Sequence, residues 1–175
     1  MSEETAAASN GFSVLDGVSF VAGGAVASVH VRGVISDDLT GAGWIVLAGT
    51  FAWVSLTAAG PFIYVVRRYA RKLYGYPQVG DRLWAMLGLP WFLTALLQAT
   101  PNRSGATAHG LVALGLSVGL AIASLIALVV VWTTWVRVTP DQAAETFAPP
   151  WTNRVGLTLV VAWPVQCGLA MVVIG

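Results

Sequence analysis

Acidic side chains are missing from four long stretches of this 175-residue chain, 43–66, 83–99, 110–136 and 155–174. Charge is scarce elsewhere too. Only 10% of the residues are charged, against about 25% in an ordinary soluble domain. The net charge of +1 leaves no global field to draw nucleic acid or acidic substrates. One cysteine, Cys167, is present, which excludes an internal disulfide and any cysteine-based zinc site. A basic n-region is also missing: Glu3 and Glu4 are the first charges, so no secretory signal is expected. Ser2 follows Met1, which removes the glycine that myristoylation needs. Asp16, Asp81, Asp141 and Glu145 are scattered, with no Ser-His or His-rich motif beside them. Nothing supplies the nucleophile–base pair or metal cluster of a membrane enzyme, so catalysis is disfavoured and no metal or resident cofactor is called for.

What the chain has is apolar length. Hydrophobic residues make up 57% of it, and each acid-free stretch approaches or exceeds the roughly 20 helical residues that cross a bilayer's hydrocarbon core. The expected fold is an all-α integral membrane protein, a small bundle of four to five transmembrane helices in a single domain, 13–175, behind a disordered polar tail, 1–12.

The fifth element is 14–35. It carries Asp16, His30 and Arg32, yet Ser19, Gly23 and Ala27 recur four apart and make a small-residue stripe of the kind that lets membrane helices approach closely. A flat amphipathic helix would line its polar face with Lys and Arg, and this stretch has a single Arg at its end. It is read as a weakly hydrophobic span rather than a re-entrant or surface-lying helix. Gly115, Gly119 and Ala123 form a second stripe. Asp81 is expected to cap the helix holding 83–99. Thr139-Pro140-Asp141-Gln142 reads as the capped start of a short interfacial helix to Phe147. Pro61, Pro90 and Pro164 fall inside spans, where neighbouring helices can tolerate a kink.

Five of the nine basic residues, Arg67, Arg68, Arg71, Lys72 and Arg82, share one short loop. Short Lys/Arg-rich loops stay cytoplasmic, so 67–82 is expected inside the cell (inner) membrane and the C-terminus outside. The side of the N-terminus depends on whether 14–35 spans.

Three residue sets are candidate sites. Arg67, Arg68, Arg71 and Lys72 could grip an anionic lipid headgroup, or simply set topology. His30 and His109, near the outer ends of different helices, could ligate haem or a pigment, or sit at the interface with solvent partners. The stripes Ser19/Gly23/Ala27 and Gly115/Gly119/Ala123 could meet other membrane subunits, or close the protein's own bundle. By elimination, the expected role is a non-catalytic structural or accessory subunit packing with membrane lipids and other membrane proteins, without nucleic acid. Its rivals are a transporter or channel for a neutral or lipophilic solute, and a haem- or pigment-binding subunit.

Overall fold

The computed structural model describes residues 11–32, 41–70, 78–99, 110, 113–122, 125–126, 129 and 151–174. The polar tail to residue 10, Arg71, Lys72, Arg103, His109, Ala123 and the expected interfacial helix after Thr139 lie outside the described residues. Those described are all helical apart from short approaches to helix starts. The helices are α1 (Val14–Arg32), α2 (Gly41–Val65) with a π turn at Val66–Ala70, α3 (Val79–Ala99), α4 (Ala113–Ile122) and α5 (Trp151–Ile174).

Local chemistry explains the helix starts. Before α1, the Ser13 N–H donates to Asp16 Oδ2 (2.9 Å) and the Asp16 N–H donates to Ser13 Oγ (3.2 Å). That reciprocal pair is a capping box. At α3 the Gln78 N–H donates to Asp81 Oδ2 at 2.9 Å, so Asp81 does cap this helix. Pro61, Pro90 and Pro164 all lie within helices.

Among the described residues two elements, α1 and the continuous Gly41–Ala70 segment, are long and apolar enough to cross a membrane. Asp81 and Arg82 dilute the start of α3. The 110–136 stretch is described only in parts.

Packing joins α1 to α2, α2 to α3 and α3 to α5, with a lesser contact between α1 and α3. Asp16 at the start of α1 pairs with Arg67 at the end of α2, so these two run antiparallel. Gly80 at the start of α3 touches Asn153 at the start of α5, and Trp91 meets Trp163 about three turns further on, 6.2 Å between ring centroids. These two run parallel. The starts of α1, α3 and α5 therefore gather where α2 finishes.

Small residues hold the bundle together from within. Ser19, Gly23 and Ala27 are buried, and a β-carbon on Gly23 would collide with the Ser55 carbonyl of α2. Gly115 and Gly119 lie against the indoles of Trp91 and Trp163. Ser19, Gly23, Ala27, Gly115 and Gly119 are thus covered by this chain, in keeping with the second of the two readings, that the stripes close the protein's own bundle. Small residues fit here because they admit neighbouring backbone and broad indole rings. The core is completed by Val54, Ala58, Ile63, Trp84, Leu87 and Leu159.

Candidate functional site: a buried polar chamber

At the end where three helices begin, the interior turns polar. Arg67 closes the inward stripe Gly60, Ile63, Arg67 on α2 and its π turn, whereas Arg68, one residue on, points outward and is exposed. The Arg67 side chain is fully buried, as is that of Asp16. Arg67 Nε donates to Asp16 Oδ1 at 3.0 Å and Nη2 to Oδ2 at 2.9 Å, and Nη2 also reaches the Gly11 carbonyl at 3.2 Å. Two parallel charge-assisted bonds fix both groups in one geometry. The guanidinium carbon lies 5.0 Å from the centre of the Trp151 ring, within cation–π range.

From α3 comes Asp81, 2% exposed, and from α5 come Thr152 and Asn153, both fully buried. The Gly80 N–H donates to Asn153 Oδ1 at 2.6 Å, tying the two helix starts together. The Thr152 hydroxyl acts on the Asp81 carboxyl, while Asp81 Oδ1 and Thr152 Oγ1 make no hydrogen bond. Arg67 Nη1, Gln78 Oε1 and Trp151 Nε1 are also buried and have no partner. Asp81 precedes the apolar run at 83–99. Burial raises its carboxyl above the ordinary aspartate value, opposed by the Thr152 hydroxyl, the Gln78 N–H and the Arg67 charge.

A smaller polar contact sits at the opposite end of α1. His30 is buried; its Nδ1 is 3.0 Å from the Val26 carbonyl and its Nε2 is 2.8 Å from Thr94 Oγ1. A carbonyl only accepts, so Nδ1 carries the proton in this arrangement. Trp91 meets the imidazole edge-on at 5.4 Å. With both nitrogens engaged, His30 offers no free ligand atom to haem or a pigment, and it is packed inside rather than facing solvent. Among the described residues no group of three or more His, Cys, Asp or Glu could hold a metal. Gln166 lines an open groove of about 570 Å³ with Trp53, Leu157 and Val161.

Of the basic loop, then, Arg67 faces inward in an ion pair and Arg68 faces outward, while Arg71 and Lys72 lie outside the described residues. The chamber was missed in the sequence, although a signal existed. The stripe Ser19, Gly23, Ala27 extends one helical step each way to Asp16 and His30, and all five are buried. Asp81 and Thr94 likewise terminate the buried face of α3 that holds Trp84, Leu87 and Trp91. Comparison with protein-family models, with curated proteins and with solved structures gave no match, so the functional reading rests on these residues.

Proposed function

We propose that the chain is a small multi-pass membrane protein, a bundle of five spans acting as a non-catalytic structural or accessory subunit among lipids and other membrane proteins. One observation carries this reading: the distribution of polarity is inverted. Asp16, Ser19, His30, Thr57, Arg67, Asp81, Thr94, Thr152 and Asn153 are buried, while Val14 is 85% exposed, Val21 and Ile45 75%, and Val161 74%. In water that arrangement exposes apolar surface and hides charge, both unfavourable. In a bilayer the same surface meets lipid, and polar groups pair inside the bundle.

Helix directions support the alternation. With the Arg-rich loop after α2 cytoplasmic, α1, α3 and α5 start inside the cell and α2 returns, which puts the N-terminus inside as well. Contact with a partner falls to the outward apolar residues, such as Val14, Val21 and Ile45, because the small-residue stripes are occupied.

The test is made on the full chain expressed in bacterial membranes. It is expected to resist alkaline carbonate and to need detergent for release. A reporter at Ser2 should read cytoplasmic and one after Gly175 periplasmic, and other membrane proteins should co-purify from gentle detergent. A protein that stays in solution without detergent ends the membrane reading. Opposite reporter readings end the topology, and a chain that purifies with lipid alone ends the accessory role.

A further inference from the structure

We propose that Asp81 is a proton-binding site, its carboxyl taking up and releasing one proton inside the chamber built by Arg67, Gln78, Trp151 and Thr152. The inference stands on the chain's own packing and does not need the membrane reading.

Charge is the first argument. Among the described residues the chamber holds two carboxyls, Asp16 and Asp81, and one guanidinium, Arg67. Arg67 is committed to Asp16 through two of its nitrogens, at 3.0 and 2.9 Å. With every group ionised the cluster carries one uncompensated negative charge, and that charge is on Asp81. An unpaired charge out of water is costly enough that the group prefers to neutralise. Binding one proton at Asp81 leaves the cluster neutral. Asp16 is the poorer acceptor, since protonating it would strand a buried guanidinium.

Hydrogen bonding is the second. One oxygen of Asp81 is used by the Gln78 N–H and the other has no partner. As a carboxylate, that oxygen carries charge with no hydrogen bond made to it, and protonation removes the charge that burial penalises. The groups that act on Asp81 from the packed elements are Arg67 at the end of α2, held by Asp16 of α1, and Thr152 on α5, while Asn153 of α5 is bonded to the neighbouring Gly80. Arg82 and Arg154 are exposed and their charges are screened by solvent. The step is an O–H bond broken at Asp81, with the proton passing to water and the electron pair staying on the carboxylate.

Infrared difference spectra of the purified full chain, taken against pH, test this through the carbonyl stretch of a protonated carboxyl. An aspartic acid band is expected to persist well above the ordinary aspartate pKa of about 3.9, to shift on carboxyl-¹³C aspartate labelling, and to disappear in Asp81→Asn. Thr152→Val, which removes the hydroxyl opposing the shift, should move the midpoint to higher pH. A midpoint in the ordinary aspartate range, or a band that survives Asp81→Asn, overturns the proposal. If Asp81→Asn does not fold, the labelled wild type and Thr152→Val decide: an unlabelled band, or a midpoint indifferent to residue 152, overturns it equally. Stability provides an independent reading. A carboxyl raised in the folded state contributes stability that is lost as pH rises through its folded pKa, so the unfolding midpoint should fall over that window in the wild type and stay flat in Asp81→Asn.

Discussion

Arg67→Met is expected to destabilise the protein by about 3–5 kcal/mol, the usual cost of breaking a buried ion pair from one side. The methionine fills much of the arginine's volume, so the loss is chiefly electrostatic. Asp16, fully buried, would lose two of its hydrogen bonds, and a carboxylate would be left in a site that water does not reach. Asp16→Leu should be similarly harmful, because it strands the guanidinium against Trp151. The double variant Asp16→Leu/Arg67→Met is expected to recover most of the loss, since replacing such a pair with apolar groups is often near neutral. Denaturant or thermal unfolding in one fixed detergent gives the four corners of the cycle. The coupling should exceed the roughly 1 kcal/mol ceiling of exposed pairs. Single effects under about 1 kcal/mol that simply add would mean Arg67 is solvated, and would return it to the headgroup role that its neighbours in the loop suggest.

The same pair shows where sequence reasoning reaches and where it stops. Helix positions were legible, because the apolar runs at 43–66, 83–99 and 155–174 fall within α2 with its π turn, α3 and α5. The acid cap at Asp81 was legible as well, being decided by residues three apart. The partner of Arg67 was not. Asp16 lies 51 residues away, and which of Arg67 and Arg68 turns inward depends on the phase of the helix that delivers them. Phase was available within each helix, since Gly60, Ile63 and Arg67 share a face. Joining that face to the one bearing Asp16 required knowing that α1 and α2 pack antiparallel. The small-residue stripes posed a similar problem. Their spacing announced close approach, but whether to a helix of this chain or of another is a question of tertiary pairing.

Gly156→Ala is expected to be the most damaging single-methyl addition in α5, whereas Gly168→Ala in the same helix should be harmless. A β-carbon at Gly156 would overlap the Gly80 carbonyl of α3, and one at Gly80 would overlap the Asn153 carbonyl. The obstacle in both places is backbone, which has no rotamer to relieve the clash. Overpacking a core costs typically about 1–3 kcal/mol, occasionally more, and the upper end applies where two helices must separate to make room. At Gly168 nothing lies within 4 Å of the added methyl, and alanine is favoured over glycine in a helix by about 0.5–1 kcal/mol. Measured side by side by unfolding in one detergent, the two substitutions should therefore move stability in opposite directions. The consequence reaches the chamber: α3 and α5 bring Asp81 and Thr152 together only because Gly80 and Gly156 let their backbones touch. Gly156→Ala should draw Thr152 away from Asp81 and open the carboxyl to water, returning its protonation midpoint toward that of a free aspartate. Equal stability of the two alanine variants would show that the helix starts do not cross so closely, and the wall that isolates Asp81 would go with that contact.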